Sequence, residues 1–273
     1  FKITGRLVKQ ENWWHLYLPS PYRLTHGKHH PISIWFHSLG MELVRSWQKQ
    51  IPGAVFQCDP DRIALFIRHL WSMDGNVSWK RLPNRIPAGN IYFASSSGIM
   101  AEQVQHLLLR LGIQSSLRTV PSRKGYRDMH HLYVEGAPNQ LAFLRVVGIA
   151  DERRELIPKL IASLETIKPN PNRDTIPQEI WAAFITPAKE LTDMSWREFA
   201  MGLHMSYCGS SLFKNGVSRE RMNRITAVLE PRLVSRGTTG AAVAATLKNI
   251  AQSDIFWDEI AVIEPSGIET VYD

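Results

Sequence analysis

Cysteine is almost absent from this sequence. Cys58 and Cys208, the only two among 273 residues, stand far apart and without metal-ligand spacing, which argues against a disulfide framework and against a structural zinc site. Long apolar runs are missing as well. None approaches the roughly 20 residues needed to cross a bilayer, and Phe1 opens no basic, apolar, small-residue leader. These absences predict a soluble chain with no membrane partner, in a reducing, cytoplasmic setting. Acidic charge is in the minority: 25 Asp and Glu stand against 32 Lys and Arg, for a net charge of +7 and a pI near 9.5. That balance suits a polyanionic partner, although ordinary basic enzymes share it. A content of 44% apolar and 21% charged residues is enough for at least one substantial core and excludes disordered and collagen-like chains.

Most of the excess charge sits in one stretch. Between residues 76 and 136 the basic residues are Lys80, Arg81, Arg85, Arg110, Arg118, Arg123, Lys124 and Arg127, and the acids are Glu102, Asp128 and Glu135. Trp79, Tyr92, Tyr126 and Tyr133 interleave with them. Most of these positions fall on segments that read as strands and hairpin loops, so two readings stand side by side: a basic sheet face for duplex DNA, and a solvated hairpin surface.

The periodicity gives an order of elements. Ile63, Phe66, Ile67, Leu70 and Trp71 recur at three- and four-residue spacings, predicting a helix over 62–73 that stops at Asp74-Gly75. Segments 76–81 and 90–95 make a hairpin. Residues 97–111 make a second helix ending at Gly112, 114–120 and 130–135 a second hairpin, and 139–147 a third helix. The order is α-β-β-α-β-β-α. Upstream, 1–9 and 13–18 read as paired strands and 31–39 as a helix, either the back half of a truncated repeat or a unique hairpin and helix.

After a polar helix at 157–167, residues 168–173 have linker composition. Ser195-Trp196-Arg197-Glu198 is a capping box, and three short helices at 195–229 suit a helix-turn-helix. Its second helix would offer Tyr207, Ser210, Ser211 and Lys214 to a groove. Helical triplets also arise for structural reasons alone. Residues 231–252 read as a linker helix. The tail 253–273 returns to β pattern, but a lone hairpin is marginal in water.

The segment Ile67-Arg68-His69-Leu70-Trp71-Ser72-Met73-Asp74-Gly75, with Leu65-Phe66 before it, resembles the second LAGLIDADG helix of the two-repeat homing endonucleases carried inside inteins. The α-β-β-α-β-β-α order is similar to that family's repeat. The helical triplet resembles the extra DNA-binding module of some intein endonucleases, and the tail from Phe256 resembles late strands of an intein (Hint-type) splicing domain. Over essentially the whole chain the similarity is to the endonuclease-containing intein of bacterial replicative DNA helicases.

The resemblance implies an α+β fold in five pieces: the C-terminal half of a first LAGLIDADG repeat (1–60), a second repeat (61–167), a helical DNA-binding module (168–230), a linker helix (231–252) and partial splicing-domain strands (253–273). It also implies Mg²⁺-dependent cleavage of both strands of a long double-stranded DNA site. Asp74, followed by the motif glycine Gly75, would be both a catalytic residue and a metal ligand, because each of two such helices delivers one carboxylate to metal held between the scissile phosphates. Lys124, in the second hairpin loop, is the candidate catalytic cation, with Arg123 and Arg127 beside it. Lys80, Arg81, Arg85, Arg118, Arg123, Arg127, Tyr207, Ser210, Ser211 and Lys214 would contact DNA. The simpler alternative for Asp74 is a solvated helix-end carboxylate, although an acid at a helix C-terminus opposes the helix dipole.

Two departures from the family pattern carry consequences. Arg68 and His69 occupy positions where the family has small residues, and the first LAGLIDADG helix is not in these 273 residues. The implied partners are therefore the N-terminal intein segment that carries it, the host replicative helicase and duplex DNA. A DNA-binding protein that does not cut, and a degenerate insert with only a splicing-related role, are the rival readings. His26, His29 and His30 lack Cys or acidic neighbours and read as a polar loop, and both cysteines read as incidental thiols.

Overall fold

The computed structural model describes residues 1–80, 88–122, 125–168, 174–207, 209–253, 255–258, 260, 262–265 and 267. The chain divides into two compact units, Phe1–Pro169 and Asn170–Asp273.

The first unit opens with β1 (Arg6–Lys9) and β2 (Trp14–Tyr17), an antiparallel pair forming a two-stranded sheet of its own, and α1 (Pro31–Ser38). His30 ties these together: its Nδ1 accepts from the Ile32 amide at the start of α1, and its Nε2 lies 2.9 Å from the Leu18 carbonyl. The histidine cluster thus has a structural use. No residue from 1 to 50 is fully buried, so this arm adds nothing to the core. The core begins at Ile51. Short helix α2 (Gly53–Phe56) packs Val55 and Phe56 against it, so residues 51–58 associate with the elements that follow, whereas the resemblance groups them with the arm.

Helix α3 (Pro60–Asp74) begins with Asp59 accepting from the Arg62 amide and Pro60 in the first turn, an N-terminus that needs no donor from the ring. Its apolar stripe, Ile63, Ala64, Ile67 and Trp71, is buried. At Gly75 the chain turns directly into β3 (Gly75–Lys80). A Cβ on Gly75 would lie 2.2 Å from Trp71 Cδ1, so a hydrogen is all that fits there. The Trp71 indole donates to the Asn76 carbonyl at 3.2 Å, fixing the junction between helix and strand.

Strands β4 (Ala88–Ser95), β5 (Ser116–Val120) and β6 (Met129–Val134) complete an antiparallel sheet of order β3-β4-β6-β5. Alternation separates its faces. Val77, Ile91, Phe93, Leu132 and Val134 face inward, under α3, α4 (Gly98–Arg110) and the helical run of α5 (Ala137–Ala142) and a π-turn, Phe143–Val147. Trp71 meets Phe93 and Phe143 with ring centroids 5.8 and 4.6 Å away. Trp79 packs on this inner side with Val77, a correction to its expected place among the DNA-facing aromatics. Helix α6 (Ile157–Leu164) closes the unit through Leu160 and Leu164.

The second unit pairs β7 (Thr175–Ile176) with β8 (Val217–Ser218) beneath α7 (Thr186–Leu191), α8 (Trp196–Gly202), α9 (Arg219–Val234) and α10 (Gly237–Gln252). The capping box at Ser195 and Glu198 forms as expected. Two other expectations need correction. The helix-turn-helix's second helix is a five-residue 3-10 turn, Gly209–Phe213, because Gly209 at φ 61° and Ser210-Ser211 do not sustain an α-helix. Residues 231–252 are not a spacer. Helix α9 continues to Val234, and α10 packs along it with Ala244, Leu247 and Ala251 in the core. The small side chains that made α10 look featureless permit this approach, since a Cβ on Gly240 would lie 1.9 Å from the Leu233 carbonyl. Of the β tail expected at 253–273, residues 254, 259, 261, 266 and 268–273 lie outside the described residues, and the described ones form no strand. Among the described residues no helix is long and apolar enough to cross a membrane.

Gly75→Ala should destabilise the chain by about 1–3 kcal/mol through overpacking against Trp71, and Trp71→Ala by about 3–5 kcal/mol through the void it leaves. Urea unfolding midpoints check both, and a parental midpoint for Gly75→Ala would contradict the packing described.

Candidate nucleic-acid interface

The open face of the four-stranded sheet is built by the residues that alternate with its core. Asn76 pairs with Tyr92, Tyr92 with Tyr133, and Tyr133 with Ser116, so these four lie in one row across the sheet. Ala94, His131 and Arg118 form the next row, and Ser78 pairs with Asn90 on the other side. Three half-buried rings occupy the middle. Tyr92 and His131 stack with centroids 5.5 Å apart and planes 14° from parallel, and Tyr133 lies 5.6 Å from Tyr92. Arg118 covers the outer face of Tyr133 at 5.1 Å and pairs with Glu135 at 2.8 Å. On β3, the Asn76 amide donates to Ser78 Oγ and to the Asn90 carbonyl. Lys80 ends that strand and is exposed. The face therefore offers donors, acceptors and flat rings between two basic margins, a composition suited to reading base edges with phosphates held at the sides.

Asp74 stands where α3 runs out onto this sheet. The carboxylate is exposed. It adjoins β3, an edge strand of the sheet, and so occupies its margin. On the same helix Leu65, His69 and Met73 are exposed, Met73 by 82%, which leaves a stripe at four-residue spacing uncovered.

The adjoining flank of α3 is strapped by residues 146–153, and Leu65 and His69 line a groove with Val147 to Ala150. Arg68 Nε donates to the Val147 carbonyl at 2.5 Å, so the large residue in the motif turns onto the strap. The Ala150 amide donates to Ser72 Oγ at 2.8 Å. Arg153 donates to the Ser72 and Gly75 carbonyls at 2.8 and 2.7 Å, while its Nε lies 3.0 Å from both Asp151 oxygens. The hydrogen bond from Arg153 holds the Asp151 carboxyl below its ordinary value of 3.8 and, reciprocally, raises the guanidinium.

Lys80 and Arg118 share the open face by strand alternation, on opposite edges. Arg127 is exposed in the loop before β6, its guanidinium 3.8 Å above the Trp47 ring. Arg81, Arg85, Arg123 and Lys124 lie outside the described residues. Tyr207, Ser210, Ser211 and Lys214 are exposed around the 3-10 turn of the second unit. Charge separates the units: residues 1–169 carry a net +10 and 170–273 a net −3. The basic character is thus confined to the unit with the sheet. Sequence reading passed over His131, Asn76, Ser78 and Asn90. Strict two-residue alternation from the core positions Val77, Ile91 and Leu132 was the signal that identifies them. Among the described residues no group of three or more His, Cys, Asp or Glu is arranged to hold a metal.

Comparison with known proteins bears directly on α3 and its sheet. Residues 61–148 match the LAGLIDADG-like domain. The matched span runs from the start of α3 to the glycine after the π-turn, and so takes in Asp74 and all four strands of the sheet. Beyond the LAGLIDADG-like domain, the whole chain is similar to part of replicative DNA helicase DnaB from Rhodothermus marinus (36% identical over 273 residues, 100% of this chain and 27% of that protein). The DnaB proteins of Nostoc sp. (34%, 99% of this chain, 29% of that protein) and Synechocystis sp. (33%, 100% and 30%) are similar in the same way. The chain thus spans less than a third of the curated relatives it matches. The likeness noted in the sequence, to a LAGLIDADG segment within a replicative helicase, is met by both findings.

Two outcomes follow from this geometry. Lys80→Ala combined with Arg118→Ala should weaken duplex DNA binding and reduce the slope of log affinity against log salt by about two, measured by fluorescence anisotropy at several salt concentrations; an unchanged slope would remove these edges from the interface. Because Asp151 titrates lower when folded than its ordinary 3.8, its contribution is fully present above that value and is lost as pH falls through the lower, folded one. Asp151→Asn should therefore flatten the loss of thermal stability on the acid side of pH 3.8, as read from melting curves across that range.

Proposed function

We propose that this chain carries most of an intein-borne LAGLIDADG homing endonuclease, which hydrolyses both strands of a long, asymmetric duplex DNA site with Mg²⁺. The observation that carries the reading is that α3 delivers the exposed Asp74 to the margin of a polar, aromatic and basic sheet face. The relatives are replicative DNA helicases matched over less than a third of their length, which supports an insert within such a helicase in the cytoplasm. In this reading the tail 253–273 belongs to a splicing domain.

The donor set fits Mg²⁺ as one half of a site. A single exposed carboxylate is hard and charged, as Mg²⁺ prefers, but that ion is held by one or two carboxylates together with substrate phosphates and water. A second carboxylate would come from the first LAGLIDADG helix, in a segment preceding these residues, seated along the uncovered Leu65, His69 and Met73 stripe. The arm, two strands and a helix with no buried residue, has the content of the end of that first repeat. Mg²⁺, when bound, polarises the scissile phosphate and makes water a better nucleophile. The chain's own residues orient the duplex: Lys80, Arg81, Arg85, Arg118, Arg123 and Arg127 hold phosphates, and the rings and amides of the open face read bases. Lys124 is the cation assigned to the developing charge. Tyr207, Ser210, Ser211 and Lys214 extend contact beyond the sheet.

A second reading is a DNA-binding or degenerate insert that no longer cuts, which would use the open face of the sheet without needing the carboxylate of Asp74. The experiment that separates the two uses the full natural protein carrying this sequence and a duplex selected by it from a random pool. Asp74→Asn should bind that duplex about as well as the parent in a gel shift and should not cleave it with Mg²⁺. Cleavage at the parental rate would return Asp74 to the role of a solvated helix end, and a parent that binds without cutting would establish the second reading.

A further inference from the structure

The geometry points to Arg153 as a positioning residue for Asp74: its guanidinium grips the backbone on both sides of that carboxylate and so fixes the direction in which it is presented. The inference rests on the reading of Asp74 as a metal carboxylate. The last carbonyls of a helix have no partner within it, and the common remedy is a left-handed glycine that folds the chain back over them. Here Gly75 is extended, at φ −100° and ψ 165°, because the chain must leave α3 straight into β3. That remedy is closed, and Arg153 takes its place, bonding the Ser72 and Gly75 carbonyls. These bracket Asp74 in the chain.

The chemistry of the side chain matters. A guanidinium has donors in a rigid planar fork, so it can bridge two carbonyls while Asp151 grips its remaining edge; an ammonium is a point charge with no such fork. Asp151 also offsets the charge of Arg153, so a cation bound by Asp74 meets a nearly neutral pair. The bonds from Ala150 to Ser72 and from Arg68 to Val147 hold the same flank at Ser72 and one turn earlier, which leaves the helix end little freedom to rotate.

A cap that only stabilised α3 would alter folding and leave the metal affinity of the folded protein unchanged. The discriminating measurement is the Mn²⁺ affinity of the DNA complex, read by electron paramagnetic resonance of free Mn²⁺, in the full natural protein with a duplex selected from a random pool. Asp74→Asn should remove the Mn²⁺ site. Arg153→Lys and Arg153→Ala should each weaken it, by roughly tenfold or more, as when a partner orienting a ligand is lost, with metal-free gel-shift affinity unchanged. Arg153→Lys is decisive where Arg153→Ala does not fold, since it keeps the charge and loses the fork. Parental Mn²⁺ affinity in Arg153→Lys, with the site lost in Asp74→Asn, overturns this inference alone. Mn²⁺ binding untouched by Asp74→Asn overturns the reading of Asp74 and this inference together.

Discussion

The first unit depends on the seating of Trp71. Its ring fills the space between α3 and the sheet, against Phe93 and Phe143, and its indole N–H bonds the carbonyl of Asn76 just beyond the helix. One side chain thus sets the depth of the helix and the point at which it becomes a strand. The neighbouring constraints follow from it. Gly75 must lack a side chain because the ring lies where one would go, and the chain must extend at once because β3 begins at that residue. Asp74, the last residue of α3 before that change, is thereby brought to the rim of the open face.

Much of this was legible in the sequence, for reasons that differ by element. The three- and four-residue spacing of Ile63, Ile67 and Trp71 identified α3 and its end, since a buried stripe must repeat with the helix. Both hairpins were legible from their turns. Less legible were features that depend on what a neighbour does. Trp79 carries no sign of its side of the sheet apart from alternation with Val77, and α10 has too few large residues to announce a core face, because it packs by being small. The 3-10 turn at Gly209 differs from an α-helix in a few dihedral angles that Ser210 and Ser211 do not encode strongly. The strap was invisible: Arg68 and Ser72 lie far in sequence from Ala150 and Arg153, and they meet mostly through backbone groups that every residue possesses.

Arg68 shows how a residue that departs from a family pattern can still serve its geometry. A long cation in place of a small residue would obstruct a helix packed on that side. Bonded to Val147 and the strap, it is held down beside Leu65 and His69, which stay exposed, and tightens the flank next to them. The separation of charge between the units has a similar economy. Net positive charge gathers in the unit with the open sheet, while the second unit, net negative, cannot bind a polyanion by charge in bulk and would have to do so through local contacts.

Strand β3 has one further consequence. As an edge strand it presents, beyond the Gly75 and Asn76 carbonyls taken by Arg153 and Trp71, backbone groups along Val77–Lys80 on the side where no described strand pairs, and such edges invite pairing with any other extended chain. The exposed charge of Lys80 at its end works against that, since burying an ammonium in a growing sheet is unfavourable. The lysine that would meet a phosphate in the working protein is thus also a guard against fibrous self-association, and removing it for the sake of DNA specificity would trade solubility for selectivity.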